Sequence, residues 1–191
     1  MTRMNSTRES AKAATGAEGS ALVMVDLGCG RRKRAGAIGV DRMVLPGVDC
    51  VCDLRSPVWP FREGSVDRFF AWHIIEHMPD LIGFMENAHR ALRTGGALEL
   101  EVPHGATLRY LGDPTHRTPV TCATFRYFEP EYPYNFYTTA RFVTERIDLV
   151  MPPSALGWWW RVLWRRRMWT AERLLVAMCR DFGMHALLRK A

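Results

Sequence analysis

An α/β domain built on a mainly parallel sheet is the fold class this sequence predicts, and three observations predict it. Short apolar runs recur at Ala21–Asp26, Ala37–Val40, Val48–Cys52 and Val66–Trp72, each suited to a strand covered on both faces. Helical or loop crossovers alternate with these runs. The first run leads straight into Gly28-Cys29-Gly30, where two glycines remove the Cβ atoms that would keep a ligand off the backbone.

A chain of 191 residues is about one domain and long enough to bury a core. Residues 1–20 are Ser, Thr, Ala and Gly with alternating charge and no apolar period, and read as a disordered leader. The second apolar run closes on Asp41 and the third on Asp53. After the fourth comes the clearest helix: Pro79 suits its first turn, and Leu81, Phe84, Met85, Ala88 and Leu92 recur at helical spacing. Arg90 and Arg93 suit its negative end, and Gly95-Gly96 is the expected stop. Ala97–Val102 reads as a fifth strand with Glu99 and Glu101 on a solvated or site-facing side. Residues 104–140 are loop-rich, with Pro114, Pro119, Pro130 and Pro133 among many aromatics. Phe142–Val150 and Met184–Leu188 supply the last strands.

Charge and cysteine content narrow the function classes. The net charge of +6 resides in residues 157–191, which carry eight Lys/Arg against two Asp/Glu, while the body is near neutral. With no recognition module visible, nucleic acid is not an expected partner. Five cysteines without a CxxC pair and no secretory segment read as reduced thiols in a cytoplasmic protein. No apolar run approaches the length of a membrane span.

Ligands in such sheets collect beyond the carboxyl ends of the strands, which singles out Gly28, Gly30, Asp41, Asp53, His73 and His104. An acid after the second strand can accept both hydroxyls of a ribose, and Asp53 can accept from the exocyclic amine of a purine. The combination suits an adenosine ligand without a phosphate to neutralise. A dinucleotide site is disfavoured, because Lys33 stands where its third glycine belongs and Asp41 follows Gly30 by only 11 residues. The run Arg31-Arg32-Lys33-Arg34 reads either as a solvated turn or as a partner for an anionic ligand group.

"VMVDLGCG", "GVD" ending at Asp41, "CDL" at 52–54, "WPFREGSVDRFFAWHIIEHMPD" at 59–80 and "ALRTGGALELEVPH" at 91–104 together resemble the class I S-adenosylmethionine-dependent methyltransferases. The similarity is to the small bacterial methyltransferase type 11 group, and "DPTHRTPVTCATFRYF" at 113–128 resembles a segment that follows its fifth strand. The resemblance implies a Rossmann-like methyltransferase fold with S-adenosylmethionine as cofactor. It implies that Asp26, Gly28 and Gly30 line the methionine part, Asp41 holds the ribose, and Asp53 and Leu54 lie along the adenine. His73 would flank the methionine and face the acceptor. The connection Arg31–Gly36 departs from the family, being too short for the usual helix.

His104 and His116 are the candidate proton acceptors for methyl transfer. His77 of the Glu76-His77 pair reads as ordering the turn after the fourth strand. No compact ligand motif is present, so no metal centre is expected. The implied organisation is a core over 21–150, a Trp/Arg-rich helical insertion over 151–182, and a closing strand within 183–191. The insertion would either cap the cleft or touch a membrane surface through 157–180, where arginines snorkel and tryptophans anchor. The expected function is methyl transfer to a small-molecule, glycan or lipid-linked acceptor. The alternatives are an inactive methyltransferase-like binding protein and a nucleotide-cofactor oxidoreductase.

Overall fold

The computed structural model describes residues 22–150 and 181–191, together with 172–174 and Val176. The expected leader over 1–20 and nearly all of the Trp/Arg-rich insertion lie outside the described residues. Seven strands form one sheet: β1 (Met24–Leu27), β2 (Ile38–Asp41), β3 (Cys50–Val51), β4 (Val66–Trp72), β5 (Leu92–Pro103), β6 (Phe142–Val150) and β7 (Gly183–Lys190). Their order across the sheet is β3-β2-β1-β4-β5-β7-β6. β1 to β5 are mutually parallel, and β7 runs antiparallel to both β5 and β6.

The central strands are apolar because both of their faces are covered. Val25, Leu27, Val40, Phe69, Leu98 and Leu100 are fully buried. Helix α1 (Leu81–Ala91) connects β4 to β5 and buries Phe84, Met85, Ala88 and Ala91. Asp80 caps it by accepting the Gly83 N–H at 2.9 Å, which puts Pro79 just outside the helix. The helix stops at Ala91 rather than at the glycine pair. Leu92 is already extended, fully buried, and paired with Val66. Gly95, at φ +72°, and Gly96 then bend the chain within β5 instead of ending the helix.

Trp59 fixes the segment after β3 to this core. Its ring meets Phe84, Phe69 and Phe61 edge-on at 5.0, 5.9 and 6.5 Å. Its indole N–H donates to the Leu54 carbonyl, and its backbone N–H donates to Asn87 of α1, both at 3.1 Å. Edge-on pairs contribute about 0.5–1.5 kcal/mol each beyond simple burial, enough to hold Asp53 and Leu54 in place without a long third strand.

β1 and β2 are joined by turns with no helix, as the short connection predicted. Arg34, in that connection, lays its guanidinium over the rings of Phe70 and Trp72, 4.1 Å from each centroid, and so covers that part of β4. Its short reach is completed by Lys33, whose ammonium sits 2.7 Å from Asp49 ahead of β3. Lys33 and Arg34 therefore have structural partners, whereas Arg31 and Arg32 are exposed.

Candidate functional site

The chain leaves β1 toward β2 and β3 on one side, and returns to β4 and β5 on the other. The resulting switch point lies between β1 and β4, beyond their carboxyl ends. Four of the expected residues stand at the carboxyl ends of the parallel strands: Gly28 after β1, Asp41 at the end of β2, His73 after β4 and His104 after β5.

The glycine turn is built on left-handed backbone, with φ +67° at Gly28 and +54° at Gly30. The N–H groups of Gly28 and Cys29 both donate to the Val40 carbonyl, at 2.7 and 3.1 Å. The Gly30 N–H donates to Asp41 Oδ2 at 3.0 Å, and Oδ1 of the same carboxylate accepts from Met43 at 2.9 Å. Asp41 thus ties the turn to β2 while each oxygen keeps a lone pair for a ligand hydroxyl. The two glycines differ in what a side chain would meet. A Cβ on Gly28 would stand 1.9 Å from Ile74 Cδ1, whereas one on Gly30 would stand in open space. Gly28 is a packing requirement, and Gly30 is the open side of the cradle.

Asp26 is buried and accepts the Arg34 N–H at 2.7 Å, so it orders the short connection behind the turn. Asp53 is clamped by Arg55, whose Nε donates at 2.9 Å and whose hydrogen bonds hold the carboxyl down at about 2. Arg55 was not foreseen, since two residues of separation in a loop carry no signal of pairing. Leu54 is buried beside it in the core.

His73 is the one described non-glycine residue with positive φ, at +54°. Its N–H donates to the Glu101 carbonyl at 2.8 Å, continuing the β4–β5 ladder past Trp72. The left-handed step turns the half-exposed imidazole between two carboxylates, with Nδ1 3.3 Å from Glu76 Oε1 and Nε2 3.6 Å from Glu101 Oε1. Glu76 follows in the 3₁₀ turn Ile75–His77; it is 1% exposed, and its second oxygen has no partner among the described residues.

His104 stands elsewhere in character. It is 2% exposed, stacked on Phe182 at 4.6 Å, and both ring nitrogens are occupied. Nδ1 accepts the Ala106 N–H at 3.2 Å, so the proton sits on Nε2, which donates to Glu172 Oε1 at 2.8 Å. The same oxygen accepts the Cys122 N–H at 2.9 Å. Burial pushes the Glu172 carboxyl up, but these two donors outweigh it and hold the group below its ordinary range. No motif in the sequence announced Glu172, which follows the Trp/Arg run and reaches back 68 residues to His104.

His116 reaches the site by another route. The loop after α2 (Leu108–Leu111) lies along the Ile75–His77 turn, with the Arg117 and Thr118 N–H groups donating to the Glu76 carbonyl at 2.7 and 3.1 Å. Glu76, His77 and His116 are thereby gathered, one ligand atom from each within 4.8 Å of the others. No compact ligand motif in the sequence announces this cluster, and the sequence leads to no expectation of a metal centre.

Residues 7–100 match the family model described as a methyltransferase domain of type 11. No curated protein sequence matches the chain. Solved structures share its fold at low identity. An S-adenosylmethionine-dependent methyltransferase from Archaeoglobus fulgidus superposes with a TM-score of 0.60 and 18% identity over 88% of this chain and 86% of its own. The YcgJ protein of Bacillus subtilis gives 0.59 and 16% over 91% and 94%. Geranyl diphosphate C-methyltransferase from Streptomyces coelicolor, solved with Mg2+, geranyl diphosphate and S-adenosyl-L-homocysteine, gives 0.54 and 16% over 89% and 71%.

Proposed function

We propose that this chain is a class I S-adenosylmethionine-dependent methyltransferase that uses S-adenosylmethionine as its cofactor and methylates a small-molecule, glycan or lipid-linked acceptor presented on the His73 side of the cleft. One observation carries the reading: the 3.0 Å bond from the Gly30 N–H to Asp41, which joins the open glycine turn to the acid at the end of β2.

The residues present fit the cofactor. The turn is open above Gly30, and the Asp41 carboxylate retains lone pairs for the two ribose hydroxyls. Asp26 keeps the connection behind the turn in place, and Leu54 supplies an apolar neighbour for the adenine. Arg55 occupies both oxygens of Asp53 with two contacts each, so accepting from the adenine amine requires the amine to displace one of them. When bound, the cofactor supplies an electrophilic methyl on a sulfonium, so the protein has chiefly to align a nucleophile and take up its proton.

His73 and Glu101 serve the acceptor side. Both project from the ends of neighbouring strands, and Glu101 Oε1 offers an acceptor for the proton of an incoming hydroxyl or amine. His104 contributes by position, closing the end of β5 against Glu172 and Phe182. Among the described residues no helix is long and apolar enough to cross a membrane. Calorimetry with S-adenosylmethionine, S-adenosylhomocysteine and NAD tests the reading. The first two should bind one per chain and NAD should not; saturable NAD binding in their place would overturn it.

A further inference from the structure

We propose that Glu76, His77 and His116 form a binding site for one divalent transition-metal ion of the zinc, cobalt or nickel kind, beside the acceptor side of the cleft. Three independent features lead there. The first is proximity: one ligand atom from each residue lies within 4.8 Å of the other two. Ligands around a tetrahedral zinc stand roughly 3.4 Å apart when bonds are about 2.1 Å, so side-chain adjustments of about an ångström close the site.

The second feature is an unpaid electrostatic debt on Glu76. Its side chain is 1% exposed, and among the described residues Oε2 has no hydrogen-bond partner, while Oε1 faces His73 Nδ1 at 3.3 Å. A buried carboxylate oxygen without a donor is costly, and a cation is the partner that such an oxygen favours most.

The third is the orientation of the two imidazoles. His116 Nδ1 lies 2.8 Å from the Tyr110 carbonyl, and His77 Nδ1 lies 3.3 Å from the Thr115 carbonyl. A carbonyl oxygen only accepts, so Nδ1 carries the proton in both rings and Nε2 carries the lone pair. Carbonyls on the far nitrogen are the usual outer support of a metal-binding histidine. The nearest acid to His116 Nε2 is Asp113, at 3.7 Å, too far for a hydrogen bond. Asp113 is itself occupied by the Thr115 N–H and hydroxyl. The support is also rigid. Thr118 donates its hydroxyl to the Met78 carbonyl at 2.6 Å, and Tyr110 stacks on His116 at 4.9 Å.

Two imidazoles and one carboxylate suit zinc, cobalt, nickel or iron(II), whereas magnesium and calcium prefer an all-oxygen shell. Three protein ligands leave a coordination position open. What fills it depends on the function proposed above: on that reading, an oxygen of the acceptor. The metal site itself does not depend on that reading.

The test uses the full chain, first stripped of metal by chelator. Zn2+ is titrated by calorimetry, and Co2+ is followed by its visible ligand-field bands. One ion per chain is expected, with His77→Gln, His116→Gln and Glu76→Gln each weakening Zn2+ binding at least tenfold and shifting or removing the cobalt bands. S-adenosylhomocysteine binding should stay within about twofold in His77→Gln, whose ring is the most accessible of the three. Loss of metal with retained cofactor binding supports the site, and the reverse pattern separates its failure from failure of the methyltransferase reading. No saturable binding of Zn2+ or Co2+, or binding that His77→Gln and His116→Gln leave unchanged, would overturn it. The latter outcome would assign the metal to cysteine thiols such as Cys50 and Cys52.

Discussion

Replacing Asp41 separates the two tasks its carboxylate performs. In the structure Oδ2 accepts from Gly30 and Oδ1 from Met43, and both oxygens are proposed to accept from the ribose as well. Asp41→Ala removes all of these. Hydrogen bonds to a charged group are worth about 1.5–3 kcal/mol each. Two ribose bonds, partly replaced by water in the variant, therefore amount to roughly 2–4 kcal/mol, or about 30-fold to several hundredfold in affinity. The internal bonds matter less, because the N–H groups of Gly30 and Met43 can turn to solvent; the expected loss of stability is about 1 kcal/mol. Asp41→Asn is the informative companion. It keeps one oxygen and replaces the other by a donor, so it can hold one of the two N–H groups and one of the two ribose hydroxyls. Its affinity should lie between those of the parent and the alanine variant. Calorimetry with S-adenosylhomocysteine measures the affinities, and urea unfolding measures the turn. If Asp41→Ala bound S-adenosylhomocysteine within threefold of the parent, the ribose assignment would be wrong.

The glycines should part company: Gly28→Ala collides with Ile74 and should lower stability by about 1–3 kcal/mol, whereas Gly30→Ala should cost only about 1–2 kcal/mol of backbone strain yet weaken cofactor binding markedly, as unfolding and calorimetry on both would show. Glu172→Ala strands the donors of His104 and Cys122 and should destabilise the fold by roughly 2–4 kcal/mol, while Glu172→Gln, which keeps an acceptor oxygen, should cost far less. Because the Glu172 carboxyl is held below its usual 4.5, its contribution is present above that pH and lost as pH falls through the lowered value; urea titrations of Glu172→Gln should lack this acid-side loss. His89 is pushed down from 6.5 by burial and then by Lys190 and Arg141. The unfolded chain therefore takes up a proton that the folded chain refuses, so stability should fall as pH drops below 6.5, and His89→Gln should flatten that slope.

What the sequence disclosed follows from the range over which its signals act. β1, β2, β4 and β6 were readable because an apolar run or alternation is a local property, and the acids closing β2 and β3 were readable by position alone. The end of α1 was misplaced because Gly95-Gly96 is a strong local stop, while the burial of Leu92 as a strand residue is a tertiary demand. The third strand is shorter than its apolar run: Cys50 and Val51 form the ladder with β2, and the flanking Asp49 and Cys52 N–H groups donate to the Gly39 and Asp41 carbonyls. At the site, Gly30 and Asp41 showed themselves through spacing. Gly28 showed itself too, but its reason was hidden, since the contact that forbids a Cβ is with Ile74. The Glu172–His104 contact and the meeting of His116 with Glu76 join residues tens of positions apart with no periodic signature between them. The first joins the end of β5 to the stretch before β7, and the second joins the loop after α2 to the turn after β4.

The placement of β7 between β5 and β6 bears on how the fold assembles. Among the described residues β7 is the only strand that β6 pairs with, so β6 joins the sheet through residues 183–190 once these have entered beside β5. Completion of the sheet is therefore a late, long-range event, while β1 to β5 can gather earlier. Residues 151–182 connect these antiparallel partners, so the same stretch that carries Glu172 to His104 also sets how far β7 stands in sequence from the strand it pairs with, while the glycine turn and Asp41 belong to the strands on the other side of β5.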